Sequence, residues 1–185
     1  MIKNKRLKIG IDLDSVLNNL NEVWIDVYNK DYSDNLTNED ILTWDIASYT
    51  KPECGNKMFD YLLTPNFFRD LGMQPDAREV VEWLSQWADL YIVTAYHWEC
   101  CKDKVLWVKK NLPNFDEKNV IFCNDKSVMD LDYLIDDRDL NIETFHGTGI
   151  IFDQPYNRNM SKEYFRAYDW ISILNYFKGY FRIKI

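Results

Sequence analysis

Asp12 and Asp14 stand two residues apart at the end of the short apolar run Lys8–Asp12 (KIGID). In extended backbone, residues two apart face the same side, so both carboxylates can address one substrate. Further along, Thr94 closes the run Leu90–Thr94, Lys126 follows Val120–Cys123, and Asp136 with Asp137 follow Tyr133–Ile135. Each feature alone has a bland reading: solvated turn acids, a strand-end threonine, a surface lysine, and a charge pair at a helix N-terminus. Their shared position at the ends of successive apolar runs raises all of them together. The set fits phosphoryl transfer, where charge spreads over three equatorial oxygens and catalysis is largely positioning and charge stabilisation. Asp12 would attack phosphorus, forming an aspartyl phosphate. Asp14 would protonate the leaving oxygen and later take a proton from water. Thr94 and Lys126 would hold the phosphate oxygens. The crowded carboxylates call for a hard cation, Mg²⁺, with Asp136 and Asp137 completing its coordination.

Such chemistry needs a scaffold that delivers strand ends to one place. The four runs above and a fifth, Gly149–Asp153, read as buried strands. Between them lie helical patterns. Asp76 and Glu79 have capping-box spacing, with Ala77, Val80, Val81, Leu84 and Trp87 on one face. Val105, Val108 and Leu112 mark a second helix, and Trp170, Ile171, Leu174 and Phe177 a third. Strands alternating with helices imply an α/β fold, a mostly parallel sheet with helices on both faces and its site at the strand carboxyl ends. The segment 17–74 breaks the rhythm. It suggests a helix on Leu17, Leu20, Val23, Trp24 and Val27, polar turns, and another helix over Met58–Leu63. We read it as a small helical cap inserted after the first strand, with residues 1–16 and 75–185 forming the core.

The net charge of −8, from 30 acidic and 22 basic residues, opposes binding to nucleic-acid polymers, which needs clustered Lys and Arg. A small anion is still accommodated where Mg²⁺ and a lysine set the local field. The four cysteines, Cys54, Cys100, Cys101 and Cys123, form no C-x-x-C pair. No signal-peptide pattern precedes Lys8, and no apolar run reaches the ~18 residues that a bilayer span requires. A cytoplasmic setting with reduced thiols and no membrane partner is therefore expected.

The segments IDLDSV (Ile11–Val16), IVTAY (Ile92–Tyr96), NDKSV (Asn124–Val128) and LIDDR (Leu134–Arg138) resemble the four ordered motifs of the haloacid dehalogenase (HAD) superfamily. Within it, FFRDLGMQPDA (Phe67–Ala77), WVKKNL (Trp107–Leu112) and IIFDQPYNR (Ile150–Arg158) make the chain most similar to the 5'(3')-deoxyribonucleotidases. The resemblance implies a Rossmann-like HAD core, Mg²⁺ as cofactor and a (deoxy)nucleoside monophosphate as the small phosphomonoester substrate. Among residues, it implies Asp12 as nucleophile and metal ligand, and Asp14 as acid/base, substrate contact and metal ligand through its backbone carbonyl. Thr94 and Lys126 become phosphate ligands, with Ala95 standing where the family often has Ser. Alignment on Lys126 makes Asp137 the direct metal ligand and Asp136 its support, an order that stays open between the two. Leu20, replacing an aromatic residue, and Trp44 match the nucleoside pocket.

Two other readings stay open on the sequence: a phosphatase of the same core acting on sugar phosphates or other small esters, and a receiver-like phospho-accepting signalling module. A receiver carries its paired acids on the first strand, whereas here D-x-D comes first and D-D last. Whether the chain forms a homodimer is left open.

Overall fold

The computed structural model describes residues 6–160 and 163–182. Six strands form one sheet: β1 (Leu7–Ile11), β2 (Ala88–Thr94), β3 (Val120–Phe122), β4 (Tyr133–Asp136), β5 (Thr148–Phe152) and β6 (Phe165–Ala167). Their order is β3-β2-β1-β4-β5-β6, and every pairing is parallel. The helices are α1 (Leu20–Tyr32), α2 (Ala77–Ser85), α3 (Cys101–Asn111), α4 (Asp139–Thr144) and α5 (Trp170–Arg182).

Successive strand residues must face opposite sides, and the core divides accordingly. Ile135 and Ile150 pack with Ile173 and Phe177 of α5, while their neighbours Leu134 and Ile151 pack with Ile142 of α4. Helices thus cover both faces of the sheet. Between β1 and β4 the strand order turns back, β1 to β3 running one way and β4 to β6 the other. A crevice opens at the carboxyl ends of strands at such a switch point. Gly10 lies in β1 there: a Cβ on it would sit 2.6 Å from the tip of the Leu131 side chain, which would have to move aside.

Between β1 and α2, a second small core gathers Trp24, Ile25, Tyr28, Ile41, Ile46 and Met58. This segment leaves and rejoins the sheet domain through a short antiparallel contact. Asn18 bridges to Met73, the Gly72 amide donates to Asn19 Oδ1 at 2.7 Å, and the Gln74 amide donates to the Leu17 carbonyl at 2.9 Å.

Several expectations need correction. Strand β6 follows no apolar run of the kind that marked the other five; it has three residues and an exposed Phe165. Asp76 adopts φ 60° and makes no side-chain cap, so the capping box does not form. Trp87 lies beyond the end of α2 and is exposed. The buried stripe of α5 is Trp170, Ile173 and Phe177, with Ile171 outside it. Leu17 precedes α1 rather than joining it, and the Met58–Leu63 pattern is the end of a 3-10 helix spanning Gly55–Leu63. All four cysteines are free thiols, and among the described residues no helix is long and apolar enough to cross a membrane.

Candidate active site

The tip of β1 is pinned to β4, because the Asp12 amide donates to the Ile135 carbonyl at 2.9 Å. The chain then turns sharply at Ser15, whose φ of 60° is an uncommon conformation for a residue with a Cβ. Asn18, fully buried, holds that turn: its Oδ1 accepts from the amides of Ser15 at 3.0 Å and Leu20 at 3.1 Å. Its Nδ2 donates to Asp14 Oδ1 at 3.2 Å.

Lys126, from the short turn after β3, is 3% exposed. Its Nζ donates to Asp12 Oδ1 and to Asp136 Oδ2, both at 2.5 Å. Carboxylate oxygens of Asp12, Asp136 and Asp137 all lie within 4.8 Å of one another. Asp136 is heavily engaged, accepting also from the Arg138 amide at 2.9 Å and from Asn141 Nδ2 at 3.1 Å. Asp137 accepts a hydrogen bond from the Tyr156 hydroxyl, which in turn accepts from Asn21 Nδ2 at 3.3 Å.

Asp14 lies to one side of this group. Its Oδ2 accepts from Lys104 Nζ at 2.5 Å. Lys104, on α3 and 3% exposed, also donates to Thr94 Oγ1 at 2.9 Å and to the Ala95 carbonyl at 3.3 Å. Thr94 is fully buried and does not line the cavity above the acids, whereas Ala95 does.

Burial, reinforced by the charges of Asp136 and Asp14, pushes the Asp12 carboxyl up to about 7 despite the opposing pull of Lys126. Burial and the charges of Asp12 and Asp136 raise Asp137 well above the ordinary carboxylate range. Burial opposes charge on Lys126, yet Asp12 and Asp136 hold its ammonium above the usual lysine value. Burial and the Asp137 charge keep the Tyr156 phenol protonated. Four carboxylates stand against two ammoniums, Lys104 bonded to Asp14 and Lys126 to Asp12 and Asp136, with Asp137 on neither, which leaves a formal excess of two negative charges. A buried set of hard oxygen donors with that excess fits a divalent cation such as Mg²⁺.

This electrostatic frustration has a measurable consequence. Asp12 and Asp137 have folded-state pKa values above those of the unfolded chain, so the folded state binds more protons across that interval. Their stabilising contribution is complete below about pH 4, the unfolded value, and for Asp12 is lost as pH rises through about 7. In chelator, thermal stability should therefore decline between about pH 4 and 8, by a few kcal/mol in all. Added Mg²⁺ should restore more stability at pH 8 than at pH 5. A melting temperature that rises across this interval in chelator would contradict the arrangement.

Above the acids lies a cavity of about 240 Å³, roughly eight times the ~30 Å³ that one water occupies in the liquid. It therefore has room for a phosphate with an organic group still attached. Asp12, Asp14, Lys126 and Asp137 form its polar end, and Leu20, Trp24, Ile41, Ile46 and Phe59 its apolar wall. Trp44 stands at the rim, half exposed, edge-on to Tyr156 with centroids 5.3 Å apart and under the Arg138 guanidinium at 4.9 Å. Arg158 lies elsewhere, paired with Glu39 and Asp153.

Sequence reasoning missed Asn18, Lys104 and Tyr156. Lys104 carried a signal: Cys100, Lys104, Trp107 and Val108 recur at helical spacing and are all buried. Tyr156 lies 19 residues beyond Asp137, a separation with no local pattern.

A family model described as "5' nucleotidase, deoxy (Pyrimidine), cytosolic type C protein" matches residues 5–178. A 5'(3')-deoxyribonucleotidase of Clostridium acetobutylicum is 46% identical over 162 residues, covering 88% of this chain and 89% of the relative. Another, from Bacillus subtilis, is 34% identical over 168 residues, covering 89% and 95%. Among solved structures, a haloacid dehalogenase-like hydrolase from Burkholderia xenovorans matches with a TM-score of 0.64 at 12% identity, over 96% of this chain and 99% of that one. A Bacillus subtilis HAD hydrolase solved with magnesium bound matches with a TM-score of 0.59 at 13% identity, over 95% and 100%. At such identities these structures establish the fold alone.

Proposed function

The chain belongs to the cytosolic type C family of pyrimidine-type deoxy 5' nucleotidases, and from that premise we propose how it hydrolyses the phosphate ester of a nucleoside monophosphate. It is a phosphoric monoester hydrolase on the HAD-type α/β fold, and this membership displaces the receiver-like alternative. The observation that carries the mechanism is the buried bridge of Lys126 between Asp12 and Asp136 at the floor of the cavity.

Asp12 attacks phosphorus, and Asp14 passes a proton to the departing sugar oxygen. Lys126, held at the floor by two carboxylates, offers its charge to the phosphoryl oxygens while keeping Asp12 aimed. Asp14 then takes a proton from the water that releases phosphate. Mg²⁺ bound among these carboxylates would neutralise their repulsion and draw charge from the phosphate oxygens. Asp137 is the better placed direct ligand, since Lys126, Arg138 and Asn141 already occupy Asp136. Thr94, whose oxygen accepts from Lys104, supports the floor rather than lining the cavity.

Residues 17–74 act as a cap over the core of residues 1–16 and 75–185. Its apolar wall, with Leu20 lining the cavity and Trp44 at the rim, receives a flat base, and the substrate is a deoxynucleoside monophosphate. A phosphate-release screen with Mg²⁺ over 5'- and 3'-ribo- and deoxyribonucleoside monophosphates and sugar phosphates tests this. Deoxypyrimidine monophosphates should exceed sugar phosphates by at least about tenfold in kcat/KM, a difference of ~1.4 kcal/mol. Equal rates on all esters would contradict the substrate assignment, and no phosphate release from any of them would contradict the mechanism.

A further inference from the structure

We propose that Lys104 is a positioning residue that, with Asn18, clamps the Asp14 carboxylate in the geometry required to activate water against the phosphorylated Asp12. The inference rests on the aspartyl-phosphate reading and assigns it a residue that none of its motifs contains.

Lys104 spends all three of its N–H donors inside the protein, on Asp14 Oδ2 at 2.5 Å, Thr94 Oγ1 at 2.9 Å and the Ala95 carbonyl at 3.3 Å. It does not line the cavity, so it reaches the substrate only through the groups it holds, of which Asp14 is the one with a proton to carry. The other Asp14 oxygen accepts from Asn18 Nδ2 at 3.2 Å, and the two donors together fix the rotation of the carboxylate. The Lys104 ammonium is itself held 4.8 Å from the centroid of the Phe68 ring. Stability alone is a weak reason for this lysine: an apolar residue of similar size would cover the same face of α3 without the desolvation cost of a buried ion pair.

A carboxylate held in one orientation is what the second half-reaction needs, because Asp14 must there take a proton from the attacking water. In that step the water oxygen bonds to phosphorus and one water proton passes to Asp14. The phosphorus–oxygen bond to Asp12 breaks, and its electron pair returns to Asp12 as the carboxylate. A leaving group that departs without a proton makes no such demand on Asp14 in the first half-reaction. Loss of Lys104 should therefore fall on phosphoenzyme breakdown.

The test uses p-nitrophenyl phosphate, whose leaving group departs without a proton, so that kcat/KM reports phosphorylation of Asp12 and kcat reports breakdown. Lys104→Met should lower kcat and KM together by about 100-fold, leave kcat/KM within about threefold, and release a first-turnover burst of p-nitrophenol. A parallel fall in kcat and kcat/KM, or no burst, overturns the inference. Asp14→Asn serves as reference. If it bursts and Lys104→Met does not, Lys104 alone has been misread; if neither bursts, the aspartyl-phosphate reading fails as well. Should Lys104→Met not fold, Lys104→Gln, which keeps a neutral donor of nearly the same reach, carries the same comparison.

Discussion

Asp12→Asn is expected to lower turnover by about four orders of magnitude or more, with the fold intact, because removing a nucleophile removes the reaction path rather than an increment of it. The substitution is nearly isosteric. It deletes a charge that its surroundings already disfavour, since burial and two neighbouring acids push the Asp12 carboxyl up to about 7. Lys126 retains Asp136 as a partner at 2.5 Å, so no ammonium is left buried without a carboxylate. The metal-free variant should therefore melt at or above the wild-type temperature near pH 8. A loss of turnover smaller than about tenfold, equivalent to only ~1.4 kcal/mol of barrier, would contradict the role given to Asp12.

Lys126→Met is the second large effect, and here activity and stability should fail together. The ammonium is 3% exposed and is hydrogen-bonded to two carboxylates. Removing one member of a buried ion pair leaves the others uncompensated, at a cost of about 3–5 kcal/mol. Urea unfolding should detect this, and the deficit should grow between pH 5 and pH 8 as Asp12 ionises. Turnover should fall by about a thousandfold, through loss of positive charge on the phosphoryl oxygens. If Lys126→Met kept its stability and lost less than about tenfold in rate, Lys126 would be neither the floor of the site nor its charge.

Both variants fall on residues that the sequence itself marks. Asp12, Lys126, Asp136 and Asp137 were legible because each ends or follows an apolar run, and parallel strands deliver such ends to one edge of the sheet. Five of the six strands announced themselves in the same way. β6 did not, because three residues with an exposed Phe165 at the sheet edge carry almost no period to detect. The capping-box spacing of Asp76 and Glu79 was misleading because Asp76 stands at φ 60° and its side chain makes no bond to the helix amides. In α5, apolar residues occur on more than one face, so spacing alone could not choose Trp170, Ile173 and Phe177 over Ile171 and Leu174.

The buried polar residues were hardest to read. Asn18 and Lys104, both buried, are of types that belong by default in water, and Tyr156, half-buried, is of a type found in either place, so type alone singled out none of them. What keeps them inside is specific satisfaction: each donates to an acid of the site, Asn18 and Lys104 to Asp14 and Tyr156 to Asp137. Lys104 and Tyr156 meet their acids across 90 and 19 residues and Asn18 meets Asp14 across a four-residue turn, contacts that only the folded chain reveals.

The central claim is that Asp12 carries the phosphoryl group between substrate and water. Its most direct test is acid quenching during turnover of a phosphate-labelled deoxynucleoside monophosphate, followed by peptide mapping. Label should appear on the peptide containing Asp12 in the wild type and vanish in Asp12→Asn. Label on any other residue, or wild-type turnover with no labelled protein, would contradict it.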